Sequence, residues 1–211
     1  MTRTPPLAVS SWSLHRALGR SWPNRPDHDV TPEAEPTWGE GEITLLEFPS
    51  VVAALGIDRV EICSFHLESR DPAFLAALKA ALAKNGVTLQ TLLIEYGDLT
   101  DPATAERDCL WMERWIDAAA MLGAEKARVI AGKAKPSPEA LDLSAAGLNR
   151  LGRYGADRGV PIVTENWFDL LASPADVDAL FAKLDGSVAL NGDFGNWDGP
   201  SKYDDLRAIF P

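Results

Sequence analysis

From residue 59 onward the chain alternates short apolar runs with helix-type stretches, and no two apolar runs are joined by a hairpin-type turn. That pattern constrains the fold more than any other feature. Strands linked through helices must pair in parallel, by right-handed crossovers. The runs are Arg59–Cys63, Val87–Ile94, Lys126–Ala131, Val160–Thr164 and Val188–Asn191, preceded by Leu7–Trp12. Helices are expected over Asp71–Asn85, opened by Asp71-Pro72, over Thr104–Leu122 with Leu110, Trp111, Ile116 and Leu122 as core candidates, from Pro138 to Arg158, after Ser173-Pro174, and over Tyr203–Ile209. Thr44–Leu55 reads as a short helix closed by Gly56 and disturbed by Pro49.

The expected fold class is therefore α/β, an incomplete (β/α) TIM barrel of six parallel strand–helix units, in one domain spanning 1–211. A long proline-rich insertion at 15–42 reads as a lid or a loosely ordered loop. A doubly wound open sheet is the competing architecture, but no GxGxxG follows the first strand. A complete barrel takes about 250 residues, so two further units would need roughly 60 more. Six strands leave an open edge, where Val9, Val188 and Leu190 are expected to lose cover unless the insertion or a second copy of the chain fills the gap. Self-association through that edge is one expectation.

Lys+Arg 20 against Asp+Glu 31 gives a formal net charge of -11, which disfavours a nucleic-acid partner. No apolar run reaches membrane-spanning length, and Met1–Pro6 lacks the apolar centre of a secretion signal. The two cysteines, Cys63 and Cys109, form no CxxC pair and read as buried thiols. The cytoplasm is the expected compartment.

In a parallel α/β fold the loops after the strands emerge together on one face. Polar residues there are Glu61 and His66, Glu95 and Asp98, Lys133, Glu165 and Asn166, and Asp193 and Asn196. Glu165 and Asp193 lie one strand–helix unit apart. Two converging carboxylates share a proton or a hard cation such as Mg²⁺ or Mn²⁺, or else they cap the following turns or bind a nearby base. His66 reads as a metal ligand, a proton relay or a binder of a substrate hydroxyl, or else as a histidine packed under a loop. Lys133 would steady an enolate oxygen or a phosphate. Trp12, Trp167 and Trp197 follow three strands, where flat rings suit sugar faces or form an apolar lid.

The stretches Glu61-Ile-Cys-Ser-Phe-His66, Thr164-Glu-Asn-Trp167 and Asn191-Gly-Asp-Phe-Gly-Asn-Trp197 together resemble the xylose-isomerase-like TIM barrels. That resemblance implies a divalent-metal-dependent isomerase or epimerase acting on a sugar or sugar phosphate. It implies Glu165 and Asp193 as metal ligands and His66 as a pocket residue; with Lys133, taken from its strand-end position, Glu165 and His66 are the residues expected to act on substrate. Trp12, Glu61, Asn166, Asn196 and Trp197 would line the substrate site. Asn196 stands where the family often has a histidine. The family also draws a histidine from a seventh strand and a glutamate from an eighth, which lie outside this chain. The alternative is therefore a non-catalytic barrel remnant, or part of a longer enzyme.

Overall fold

The second strand shows how the sequence builds the frame. In Arg59–Cys63 the side chains of Val60, Ile62 and Cys63 are buried while Arg59 and Glu61 are half-buried. A strand buried on both faces of this kind belongs in a parallel sheet covered by helices. The structure, a computed structural model, describes residues 6–167 and 169–210; Met1–Pro5, Phe168 and Pro211 lie outside the described residues.

Six strands form one sheet in the order of the sequence: β1 (Val9–Ser10), β2 (Arg59–Cys63), β3 (Thr88–Leu93), β4 (Lys126–Arg128), β5 (Ile162–Glu165) and β6 (Val188–Asn191). The recorded registers are parallel, with Val9 opposite Val60, Ile62 opposite Leu92, and Glu165 opposite Asn191. A bulge between Val60 and Glu61 shifts the β2–β3 register by one residue. The helices are α1 (His15–Leu18), α2 (Phe48–Ala54), α3 (Pro72–Lys84), α4 (Ala105–Leu122), α5 (Pro138–Ala156), α6 (Pro174–Phe181) and α7 (Lys202–Ala208). The strand order is that of an incomplete TIM barrel, not of a doubly wound sheet.

The described residues fall into two compact units, one within Met1–Glu95 and Asp117–Ala127, the other within Tyr96–Ile116 and Arg128–Pro211. In the first, Phe48, Val52, Val60, Ile62, Leu78 and Leu92 form the core. In the second, Leu148, Leu151, Ile162, Leu170 and Leu180 do so. Helix starts follow local chemistry. Ser137 and Ser173 accept from the backbone N–H of Ala140 and Asp176, and a proline follows each in the first turn. Asp71 precedes Pro72 in the same way, but its side chain makes no cap bond.

Several boundaries differ from expectation. Helix α2 begins at Phe48 instead of Thr44, because Glu47 folds its carboxylate back onto the N–H and hydroxyl of Thr44. Pro49 then sits harmlessly in the first turn, where no backbone donor is needed. Leu110, expected in the core, is 41% exposed, whereas Trp111 and Ile116 on the opposite face are buried. Val188 is buried rather than uncovered; α5 lies so close that a Cβ on Gly152 would come within 2.9 Å of its Cγ2. Val9 and Leu190 are half-buried.

The 15–42 segment is a loop folded back on itself. Ser21 pairs with Glu35, Trp38 N–H donates to the Gly19 carbonyl, and Glu42 N–H donates to Ala17. The closing point admits only glycine. A Cβ on Gly19 would lie 2.1 Å from the backbone nitrogen of Gly41, and both residues have positive φ, 70° and 79°. The loop reaches the turn after β2 through a 2.6 Å hydrogen bond from Trp22 N–H to the Phe65 carbonyl.

Candidate functional site

In the second unit, β5 ends in Thr-Glu, and burial on both faces encloses Glu165 among apolar strands. A bare carboxylate there would be costly, so it must find a partner. Arg128, the last residue of β4, supplies one: its Nε lies 3.4 Å from Glu165 Oε2. Asn191, opposite Glu165 in the register, brings Nδ2 to 3.4 Å from the same oxygen. The guanidinium carbon of Arg128 stands 5.1 Å from the centre of the Trp167 ring, a cation–π contact.

Asn166 and Asp193 meet through the backbone. Asn166 Nδ2 donates to the Asp193 carbonyl at 3.0 Å, and Asp193 N–H donates to Asn166 Oδ1 at 2.7 Å. This reciprocal pair clamps the loop after β6 to the end of β5. The Asp193 carboxylate turns into its own loop, accepting from the N–H groups of Gly195 and Asn196. Asn196 is exposed; Trp197 is buried and donates from Nε1 to the Leu171 carbonyl at 2.9 Å, a packing position. Lys133 is exposed, and its backbone N–H is held by Asp98 and Thr100.

In the first unit, His66 is 1% exposed in the turn after β2. Its Nδ1 lies 2.8 Å from Ser11 Oγ, which also accepts from Cys63 N–H at 2.9 Å. Phe65 and Trp38 flank the imidazole, with ring centroids 4.6 and 5.6 Å away. Trp12, half-exposed, stacks on His15 and meets Trp38 and Phe65 edge-on. Burial, with the charge of His15 adding to it, pushes the His66 pKa down to about 4, so the ring is neutral across the physiological range. Glu61 accepts from Thr91 Oγ1 at 2.8 Å within the strand pair.

The expected pairing of Glu165 and Asp193 around one divalent cation meets a simple test. Glu165 Oε2 faces a guanidinium, and Asp193 Oδ1 is occupied by two backbone amides. Among the described residues no group of three His, Cys, Asp or Glu side chains could hold a metal ion. As arranged, the donor set does not fit Mg²⁺ or Mn²⁺, which need several oxygens free at once.

Four participants escaped the sequence reading: Arg128, Asn191, Ser11 and Trp38. Arg128 carried the one usable signal, a charged residue closing a strand whose neighbours are apolar.

A sequential parallel sheet of six strands with helices between them defines an incomplete α/β barrel. The chain belongs to the Xylose isomerase-like TIM barrel family, whose profile matches residues 49–208. No curated protein matches the sequence. Solved structures share the fold. A Xylose isomerase-like TIM barrel protein from Mycobacterium smegmatis in complex with magnesium superposes with a TM-score of 0.70 at 19% identity, over 98% of this chain and 72% of that one. A Xylose isomerase domain protein from Planctomyces limnophilus gives 0.66 at 14% identity, over 99% and 71%. D-Psicose 3-epimerase from Clostridium cellulolyticum H10, solved with D-tagatose, gives 0.67 at 18% identity, over 80% of this chain; the chain spans 65% of that epimerase. No described helix is long and apolar enough to cross a membrane.

Proposed function

We propose that the protein is an isomerase or epimerase of a sugar or sugar phosphate, working by proton transfer next to a carbonyl. The observation that carries this reading is Glu165, a carboxylate buried at the end of β5 and held by Arg128 and Asn191. Membership of the family and the sugar epimerases among the solved structures of this fold support the substrate class.

In the proposed reaction the Glu165 carboxylate takes a proton from the hydroxyl-bearing carbon beside the carbonyl; the electron pair of that C–H bond forms the C=C bond of an enediolate, and the carbonyl π pair moves onto its oxygen. Returning the proton from the same face to the former carbonyl carbon, while the neighbouring hydroxyl gives its proton to the former carbonyl oxygen, completes an aldose–ketose exchange. One carboxylate suffices for the carbon-to-carbon shift, whereas inversion at a single carbon needs a second acid on the opposite face. Arg128 orients Glu165. Lys133 is assigned to a phosphate or developing oxyanion, Asn166 to holding the loop after β6, and Asn196 to substrate contact. Trp12, Glu61 and His66 are assigned to sugar binding in the first unit; Trp197 supports the site from beneath. A Mg²⁺ or Mn²⁺ ion coordinated by Glu165 and Asp193, with the magnesium complex of the Mycobacterium smegmatis protein as its support, would compete with the contacts that Glu165 Oε2 and Asp193 Oδ1 now make and would need further ligands beyond this pair. No step is assigned to such an ion.

The second reading, a non-catalytic binding barrel, is favoured by the same ion pair, since a carboxylate committed to arginine is a weaker base. Incubating the chain with aldoses, ketohexoses and their phosphates, with Mn²⁺ and with chelator, and separating products by chromatography tests the choice. Interconversion lost in E165Q supports the enzyme; an inert chain that still binds a sugar supports the second reading.

A further inference from the structure

Ser11 and His66 form a pair whose proton positions follow from counting. Ser11 is fully buried, and among the described residues its hydroxyl oxygen makes two hydrogen bonds, to Cys63 N–H and to His66 Nδ1. The first consumes a lone pair, because the amide must donate. In the second, either the hydroxyl or the imidazole provides the proton.

If the imidazole donated through Nδ1, the serine proton would have no acceptor and Nε2 would hold a bare lone pair, two buried polar groups without partners. If the hydroxyl donates, Nδ1 accepts and Nε2 carries the ring proton, and only that N–H lacks a partner. Each buried unsatisfied group costs about 1–3 kcal/mol, so the second arrangement prevails. A doubly protonated ring would leave both the serine proton and Nε2–H unpaired and add a buried charge.

The Nε2–H group is therefore a buried donor at the end of β2, beside Phe65 and the loop residue Trp38. A nitrogen whose lone pair has been replaced by a proton cannot ligate a cation and cannot accept a proton. It can only donate, and its complement is an oxygen acceptor such as a carbonyl or hydroxyl. We propose that Ser11 is a positioning residue that locks His66 in its neutral Nε2–H tautomer, so that His66 donates to a ligand oxygen instead of serving as a metal ligand or base. The sugar as ligand class rests on the function proposed above; the tautomer does not.

Long-range proton–nitrogen correlation spectra of the full chain, with ¹⁵N-labelled histidine and His66 assigned by comparison with H66Q, read the tautomer directly. The expected wild-type spectrum shows a pyridine-type Nδ1 and a pyrrole-type Nε2 at neutral pH. S11A should replace that single signature by an averaged one, and S11T, which keeps the hydroxyl, should restore it. A wild-type ring protonated on Nδ1, or an S11A spectrum identical to wild type, would overturn the lock. Titration with D-fructose or D-psicose adds the ligand. When either sugar binds, as judged from other resonances, Nε2–H must shift, and an unmoved signal overturns the donor role. If neither sugar binds, the sugar assignment of this donor falls, and the Ser11 lock is still decided by the wild-type and S11A spectra.

Discussion

Arg128 Nε stands 3.4 Å from Glu165 Oε2, and the two side chains are only 4% and 6% exposed. Charges this enclosed interact strongly, yet each is costly alone. Removing one partner by R128M or E165Q should destabilise the chain by about 3–5 kcal/mol, while R128M/E165Q should recover a large part of the loss. Urea denaturation of the four proteins measures this. Additive losses would mean that the pair does not function as a unit.

His66 makes stability depend on pH in a defined direction. Its folded pKa of about 4 lies below the ordinary imidazole value of 6.5, so between these limits the unfolded chain binds the extra proton. Stability should rise with pH from about 4 to 6.5 and level off above it, with a contribution on the order of 3 kcal/mol from this residue. Melting temperatures across that range should rise with pH for wild type and rise less for H66Q. An identical slope in both would reject the assignment.

Asn166 holds Asp193 by two hydrogen bonds made in opposite directions. N166A should cost about 1–3 kcal/mol, because the Asp193 N–H and carbonyl lose their partners together. Hydrogen exchange gives the local readout: the Asp193 amide should lose protection in N166A while amides of β2 and β3 stay unchanged.

Gly152 sets the approach of α5 to the start of β6. A Cβ there would lie 2.2 Å from Ser187 Oγ and 2.9 Å from a methyl of Val188. G152A should therefore destabilise by about 1–3 kcal/mol, despite the helix propensity of alanine of about 1 kcal/mol in the other direction. A thermal melt higher than wild type would show that the contact relaxes freely.

The strand–helix rhythm was legible because parallel strands buried on both faces read as uninterrupted apolar runs, and because serine–proline and glycine mark helix ends by local chemistry. All six strands fall where the apolar runs predict, although β1 and β4 are shorter. The strand-end positions of Glu165, Asp193 and His66 followed from the same rhythm. What they bind did not, since partners arrive from other strands. Arg128 reaches Glu165 only through the register of β4 beside β5, seen in the bond from Val129 N–H to the Val163 carbonyl, and Ser11 meets His66 across 55 residues. The 15–42 segment misled for another reason. Prolines and polar residues suggest looseness, but its order comes from backbone bonds and the close glycine contact, which leave no apolar periodicity.

In the proposed reaction Glu165 moves a proton beside a carbonyl, and solvent isotope exchange addresses that step without needing product to accumulate. Wild type incubated with a ketohexose or its phosphate in D₂O should place deuterium on the carbon next to the carbonyl, and E165Q should slow this by at least about 100-fold, the usual worth of a general base. Exchange that continues at the wild-type rate in E165Q would contradict the account.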